Sequence, residues 1–421
     1  MALYEKKGEA LVITMFDLSK YFDRENIYDC CNELYRSQVR GKVYRLLFSL
    51  NKNSKIRVRT PVGDSQSAET GPCLTQGSVE GAVWSAVNLD NGVKDFFHGE
   101  PENNEPESDS AEIIEDVKYG EVEIKPLLFQ DDVANTANSL KAAQLANTRM
   151  EELIDSKSLL LNLDKCCFLV AGGKKARVKM SKEVANSPLI LCNREIKQVE
   201  SNKYLGCYLA QTVSDSISVT VSNRIGLASR SIYEIRAIIE DSRSQSLGSV
   251  EVGINLWEMT VIPMLYYSCE VFYETPAKTI KMLDQVTGLF LANLFGVSKR
   301  GCPTVSLFLE TSTLLATNRI LLQKLLFYHH VVTLPEDSLA GEIYRETRKN
   351  ENKNNIIEEC EKILCEWNIY DVASYSKWSW RKTIKSQIKK KNDQDLLTWS
   401  LSYKKVDTIK YETKPLKLNP T

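Results

Sequence analysis

The sequence lacks the features that mark zinc-binding, membrane-spanning and strongly basic proteins. Its eleven cysteines include no CxxC pair and it has only three histidines, so the ligand spacing of a structural zinc site is absent. The longest apolar runs, such as residues 289–295, are far too short to span a membrane. The formal net charge of −1 excludes a global basic field, so any nucleic-acid partner would have to meet a local patch.

The chain also begins without a signal peptide, which predicts an intracellular protein with reduced thiols. The sequence does not distinguish nucleus from cytoplasm, and it gives no oligomeric state.

The composition that remains is that of an ordinary globular protein, with 421 residues, 43% of them hydrophobic and 26% charged. This length predicts two or three structural units. Strand and helix patterns alternate up to about residue 212, and helical patterns follow throughout. We therefore expect an α+β unit over 1–212, a helical unit over 213–345 and a helical, basic tail over 346–421.

Local patterns in the first unit predict the elements around its polar residues. Residues 11–16 (LVITMF) predict a central strand that ends at Asp17, and residues 124–129 (IKPLLF) predict a second strand. Residues 133–159 predict a long amphipathic helix. Residues 55–70 predict a hairpin, and the acidic, proline-containing stretch 99–123 predicts a flexible surface insertion.

Three aspartates follow the two predicted strands. Asp17 ends the first, and Asp131 and Asp132 follow the second. If the strands are neighbours, the three carboxylates converge, at a cost that divalent cations such as Mg²⁺ or Mn²⁺ would offset. Two such ions suit in-line phosphoryl transfer. The alternative is that each aspartate caps the helix predicted after it.

Five motifs extend this pattern along the chain. They are FDLSKYFDREN (16–26), TGPCLTQGS (70–78), LLFQDDVA (127–134), LNLDKCCFLV (161–170) and KYLGCYL (203–209). In this order they resemble the palm motifs of reverse transcriptases, specifically those of non-LTR (long interspersed element type) retrotransposons. The resemblance runs from about residue 10 to 345. It implies a right-hand palm, an antiparallel sheet with packed helices, followed by an all-helical thumb-like and C-terminal region.

The resemblance also implies an activity, RNA-directed DNA synthesis with an RNA template, a DNA primer and dNTPs. Asp17 and Asp131, with Asp132 beside them, would bind two Mg²⁺ ions, for which Mn²⁺ could substitute. Phe22 would exclude a ribose 2′-hydroxyl, and Lys165 would lie near the leaving pyrophosphate. Gln76 and Gly77 would contact the nucleotide and template, and Tyr204, Leu205 and Gly206 would contact the primer end. Apart from the resemblance, the cations Arg57 and Arg59 on the predicted hairpin suit contacts to template or primer phosphates.

Several of these residues have a plainer interpretation. Phe22 suits the core side of a helix, and Lys165 suits a solvated surface position. The Gln76–Gly77 loop suits a loop-to-helix junction, and residues 204–206 suit an ordinary edge turn.

The chain departs from the family pattern at its start, because Asp17 follows only sixteen residues where the family has its fingers. We therefore expect a fragment that carries two-metal chemistry but has weak or absent polymerase activity alone. The alternative is a catalytically inactive, nucleic-acid-binding remnant of such a polymerase. An unrelated Mg²⁺-dependent hydrolase is disfavoured by the order of the motifs.

A basic segment stands out in the tail, KWSWRKTIKSQIKKK (377–391). Its cations, with Trp378 and Trp380, suit contacts to phosphates and bases. They suit a solvated helix face equally well.

Overall fold

The computed structural model describes residues 1–52, 55–69, 74, 79–98, 117–243, 249–272, 274–298, 302–335, 337–349 and 355–402. The chain divides into two compact units, Met1–Ser216 and Ile217–Thr421, which are described separately. Within the described ranges, no helix combines the length and apolarity needed to cross a bilayer.

The first unit mixes helices and short strands. Its described helices are α1 (Ala2–Lys7), α2 (Tyr21–Arg24), α3 (Ile27–Arg36), α4 (Gly41–Asn51), α5 (Val79–His98), α6 (Leu140–Ser156) and α7 (Lys174–Asn186). Its described strands are β1 (Ala10–Asp17), β2 (Lys55–Ile56), β3 (Arg59–Thr60), β4 (Gly63–Asp64), β5 (Ala68–Glu69), β6 (Val117–Tyr119), β7 (Val122–Ile124), β8 (Leu127–Phe129), β9 (Asp132–Ala137), β10 (Cys167–Gly172), β11 (Ile190–Leu191), β12 (Arg194–Glu195), β13 (Lys197–Val199), β14 (Ser201–Tyr204) and β15 (Cys207–Ala210).

A five-stranded sheet in the order β13-β10-β1-β9-β8 forms the centre of this unit. The β10–β13 pair is parallel, and the other three pairs are antiparallel. The predicted central strand is confirmed, because β1 lies in the middle. Its run of apolar residues is explained by burial on both faces.

Each face of β1 packs against a different layer. Val12 and Phe16 belong to a core that includes Met150 and Leu153 of α6. Ile13 and the other alternate residues of β1 face a second cluster, which the β6–β7 and β14–β15 hairpins cover. The alternation follows from the two-residue period of a strand.

The predicted helix over 133–159 is wrong at its beginning. Residues Asp132–Ala137 form β9, and helix α6 starts at Leu140 after Ser139, whose Oγ accepts a hydrogen bond from Ala142 N at 3.2 Å. Pairing with the central strand overrides the local helical pattern, in which Asn135 and Thr136 are poor helix formers.

The aspartates are therefore not helix caps. Helix α2 has Lys20 at its N-cap and helix α6 has Ser139, so the capping interpretation of Asp17, Asp131 and Asp132 is excluded.

The predicted flexible insertion at 99–123 is also wrong at its end, since β6 and β7 pair as a hairpin there. Val117 is buried in the core cluster on the second face of the sheet, so this end of the stretch is anchored by apolar contact. Residues 99–116 lie outside the described ranges. The hairpin predicted over 55–70 is confirmed over its described part, where β2 pairs with β5 and β3 with β4.

The second unit is helical throughout its described part, as the pattern predicts. Helix α8 (Val213–Arg243) starts at the end of the first unit and continues into the second. The further helices are α9 (Ser249–Leu256), α10 (Ile262–Leu265), α11 (Ala277–Phe295), α12 (Thr304–Thr311), α13 (Ala316–Val332), α14 (Leu339–Lys349), α15 (Ile356–Glu366) and α16 (Lys377–Leu401). A π-helical segment, Trp257–Val261, links α9 to α10.

Helix α13 is at the centre of a core that includes the C-terminal helices. Leu321 and Leu325 of α13 pack in one cluster with Cys360 of α15 and with Trp380 and Ile384 of α16. Helices α15 and α16, which follow residue 345, thus share a core with α13, which precedes it.

Asp284 of α11 caps α13 from a neighbouring helix, because its Oδ1 accepts a hydrogen bond from Ala316 N at 2.8 Å. Burial raises the pKa of Asp284 from 3.8 to about 6, against the opposing effects of this hydrogen bond and of Arg319. A carboxyl whose pKa is higher in the folded chain takes up a proton on folding. Its contribution to stability is therefore lost as the pH rises from about 4 to about 6.

We expect Asp284→Asn to remove this loss of stability, because the amide does not titrate and its oxygen still accepts from Ala316 N. Tryptophan fluorescence in urea follows the second unit, which contains five of the six tryptophans. As the pH is raised from about 4 to about 6, the urea concentration at the unfolding midpoint should decrease more in the wild type than in the variant. Asp393→Asn, at an exposed position on α16, is the control and should keep the wild-type slope. Equal slopes in the wild type and Asp284→Asn would contradict the assignment.

Candidate active site

The antiparallel register of β1 and β9 places two aspartates directly opposite each other. Asp17 is the last residue of β1 and pairs with Asp132, the first residue of β9. Side chains opposite each other in an antiparallel pair lie on the same face, about 5 Å apart at Cβ. Asp131 adjoins them in the turn between β8 and β9, and its carbonyl oxygen accepts a hydrogen bond from Leu18 N at 3.4 Å. The sheet thus brings together the three predicted aspartates.

The turn that carries Asp131 has an unusual backbone. Phe129 pairs with Asp132, which leaves Gln130 and Asp131 as the two turn residues. Gln130 has a φ of 56°, in the left-handed region that favours glycine. Gln130 therefore sets the direction of the chain into Asp131.

Mutual repulsion and burial act on Asp132. Burial is the largest effect and raises the pKa of Asp132. The negative charges of Asp131 and Asp17 raise this pKa further, whereas the positive charge of Lys165 lowers it. The register places Asp132 directly opposite Asp17 and next to Asp131, so the charges of both act on it. The resemblance had made Asp131, rather than Asp132, a principal ligand.

Lys165 supplies a positive charge beside these carboxylates. Its Nζ lies 3.2 Å from Asp17 Oδ1, and its side chain is 69% exposed. Backbone hydrogen bonds hold the loop that carries Lys165 against Asp17. Asn162 N donates to Asp17 O at 2.8 Å, and Lys165 N donates to Asn162 O at 2.9 Å. Sequence reasoning missed Asn162, whose role is carried by backbone atoms and leaves no side-chain signal.

A buried thiol lies behind Asp17 in the same loop. Asp17 N donates to Cys166 Sγ at 3.5 Å. Burial raises the pKa of the Cys166 thiol to about 11, so the group is neutral at physiological pH and adds no charge to the site.

The β14–β15 hairpin brings Tyr204 close to Asp132. Leu205 and Gly206 have φ values of 47° and 78°, which gives the two-residue turn that joins Tyr204 to Cys207. The pKa of Tyr204 is raised by burial and then by the Asp132 charge. Its Oη donates to Leu127 O at 3.4 Å, which ties the hairpin to β8.

Phe22 lies half-buried on α2, five residues after Asp17, and packs against two apolar clusters. Its helix is anchored next to it, because Tyr21 Oη donates to Glu25 Oε1 at 3.0 Å and lies 3.1 Å from Ser85 O of α5. Asn88 Nδ2 also donates to Glu25, at 3.0 Å. Burial raises the pKa of Glu25. Sequence reasoning missed Glu25, since a lone glutamate carries no sign that it will be buried.

Four further residues were predicted to contact nucleotide, template or primer. Gln76 and Gly77 lie outside the described residues. Arg57 and Arg59 are exposed in the hairpin over residues 55–69, where Arg59 Nε of β3 lies 3.5 Å from Asp64 Oδ1 of β4. Among the described residues, no hydrogen bond or ion pair joins either arginine to the three aspartates.

The donor atoms at this end of the sheet suit a hard cation, since all three side chains are carboxylates and their repulsion calls for positive charge. Within the described part of the chain, however, no group of three His, Cys, Asp or Glu side chains is arranged to hold a metal ion. The ion pair with Lys165 occupies Asp17 instead. The assignment of Asp17, Asp131 and Asp132 as metal ligands stays a prediction.

Comparisons with known proteins give a weak structural match. No protein-family model matches the chain, and no curated protein matches it. A structure of telomerase from Candida albicans, in complex with a TWJ fragment of telomeric RNA, matches with a TM-score of 0.32 and 9% identity over 81% of this chain and 50% of that one. The telomerase from Candida tropicalis with a TWJ fragment gives 0.33 and 10% over 80% and 49%. The chain spans about half the length of these telomerase chains. At these TM-scores the matches give no evidence about function.

We expect Asp132→Asn to make β1 and β9 more stable in metal-free buffer at neutral pH, because it removes one of three clustered negative charges. Hydrogen–deuterium exchange of peptides from both strands, in EDTA, should slow by about fivefold, as for an interaction of about 1 kcal/mol. Asp155→Asn, at an exposed position near the end of α6, should leave that exchange unchanged. Faster exchange in Asp132→Asn would show that the carboxylate stabilises the pair.

Proposed function

We propose that the first unit is the palm of an RNA-directed DNA polymerase. One observation carries the proposal: Asp17 lies opposite Asp132 at the end of the central strand pair, with Asp131 in the adjoining turn. Three carboxylates at one end of a sheet suit divalent cations, because positive charge offsets their mutual repulsion. The order of the five sequence motifs supports the same assignment.

Two Mg²⁺ ions bound there would supply the activation of a primer 3′-hydroxyl and the stabilisation of the leaving pyrophosphate. Asp17, Asp131 and Asp132 would hold them. Lys165 has an exposed, flexible side chain, so its ammonium group can leave Asp17 and contact the departing phosphates. The β14–β15 hairpin, tied to β8 beside Asp132, suits a role in orienting the primer end.

We infer further that the chain comes from a non-LTR retrotransposon polymerase, with a helical thumb-like region after the palm. The order of the five motifs supports this inference. A second candidate is a catalytically inactive remnant that only binds nucleic acid. The ion pair between Lys165 and Asp17 favours it, because a bound cation would have to displace that lysine.

We expect the chain to extend a DNA primer on an RNA template weakly, in a reaction that requires dNTPs and Mg²⁺. Asp17→Asn and Asp132→Asn should each lower the rate by about 100-fold or more, as is typical when a group that stabilises transition-state charge is removed. Gel-resolved primer extension measures this, and Asp155→Asn is the matched control that should keep the wild-type rate. Wild-type rates in both aspartate variants would contradict the polymerase assignment.

Metal binding separates the two candidate functions. Titration of Mn²⁺, followed by the electron paramagnetic resonance of the free ion, should show weaker binding in Asp17→Asn and Asp132→Asn than in the wild type. If neither substitution changes Mn²⁺ binding and no extension occurs, the inactive remnant is the correct assignment.

We expect Phe22→Ala to relax the choice of sugar, because the ring would no longer exclude a ribose 2′-hydroxyl. The ratio of ribonucleotide to deoxyribonucleotide incorporation in single-nucleotide extension should rise by about tenfold or more, the usual effect of a pocket contact. Phe22→Tyr keeps the ring and should keep the ratio. An unchanged ratio together with a lower melting temperature in Phe22→Ala would assign Phe22 to the core alone.

A further inference from the structure

One side of α16 carries exposed positive charge. Between residues 377 and 390 the sequence has six cations and no acidic residue. The six side chains, all of them exposed, are Lys377, Arg381, Lys382, Lys385, Lys389 and Lys390. We call these six residues, together with Trp378, the basic face. Among the described residues no ion pair joins any of the six to a carboxylate, whereas the adjacent Lys391 lies 3.0 Å from Asp395.

The opposite side of α16 fixes the helix in the second unit. Trp380, Ile384 and Ile388 recur every four residues and are buried against α13. Trp380 Nε1 donates to Leu325 O at 3.0 Å, and its ring stacks on His329 with centroids 5.3 Å apart. Trp380 is therefore unavailable for bases, which corrects the interpretation of both tryptophans as base-contacting residues. The basic face belongs to an anchored helix.

The cations on this face form a regular row. Lys377, Arg381, Lys385 and Lys389 are four residues apart, which corresponds to about 6 Å of helix rise per step. A row of this kind presents positive charge along one line rather than at one point. Such a line matches a polyanion with regularly repeated charges.

Trp378 lies beside this row, four residues before Lys382, and is 73% exposed. Lys382 Nζ lies 5.3 Å from the centroid of its ring. A large aromatic ring in water contributes little to packing, so its position among cations calls for another explanation. An aromatic platform next to phosphate-binding cations is the arrangement by which proteins hold unpaired bases.

We propose that the basic face binds single-stranded nucleic acid, with phosphates on the cations and an unpaired base on Trp378. A duplex would leave Trp378 without a base to stack on. A membrane surface would require an apolar helix face, and the apolar side of α16 is buried against α13. This site lies in the second unit and does not depend on the metal-binding role proposed for Asp17.

Fluorescence anisotropy with a labelled single-stranded oligonucleotide of about 20 nucleotides tests the cations. EDTA is present throughout, so that metal bound by the aspartates makes no contribution. In the combined variant Lys377→Gln, Lys385→Gln and Lys389→Gln, we expect the Kd to rise by about tenfold or more. The slope of log affinity against log salt should fall by about 2, because each phosphate that is no longer neutralised lowers it by about 0.7.

A matched variant separates this site from general charge attraction. Lys278→Gln, Lys281→Gln and Lys362→Gln remove three exposed lysines of the same unit, with the same change in net charge. This variant should change the Kd by less than about threefold, through the long-range field alone. Equal losses of affinity in the two triple variants would overturn the proposal.

The stacking role of Trp378 is tested by two substitutions at an exposed position, which should leave the fold unchanged by circular dichroism. Trp378→Ala should raise the Kd by about tenfold, within the range measured for single base–aromatic stacks, while Trp378→Tyr should retain most of the affinity. Unchanged affinity in Trp378→Ala would overturn the proposal. Tighter binding to phosphatidylserine vesicles than to the oligonucleotide would also overturn it, in favour of a membrane surface.

Discussion

The antiparallel pairing of β1 with β9 is the contact on which the rest of the first unit depends. It places β1 at the centre of the sheet, so that one face packs on α6 and the other is covered by hairpins. It also fixes the register in which Asp17 meets Asp132. Because side chains alternate between the two faces of a strand, a shift of one residue would separate these carboxylates and expose the core of β9.

The sequence predicted the parts of this arrangement that depend on local patterns. The central strand and the turn at residues 204–206 follow from a β-branched run and from a turn sequence that ends in glycine. Strand β9 was missed because its short segment, DVANTA, runs into a helical pattern and is fixed by its partner strands. The secondary-structure propensity of a short segment does not show which strands it will pair with.

The candidate site also contains some features that the sequence predicts and others that it does not. The positions of Asp17, Asp131 and Asp132 could be predicted because each follows an apolar run. The backbone role of Asn162 and the left-handed turn at Gln130 could not, because neither depends on side-chain chemistry. The distinction between Trp378 and Trp380 required knowing which side of α16 meets α13.

The central position of β1 also bears on how the first unit forms during synthesis. β1 lies near the start of the chain, and its two neighbours, β9 and β10, come from residues 132–137 and 167–172. A strand that is apolar on both faces must therefore wait for more than a hundred residues before it can be covered. Contacts of such long sequence separation slow folding and leave apolar surface open to other chains. The same strand that orders the carboxylates is thus a segment that can aggregate while its partner strands are still being made.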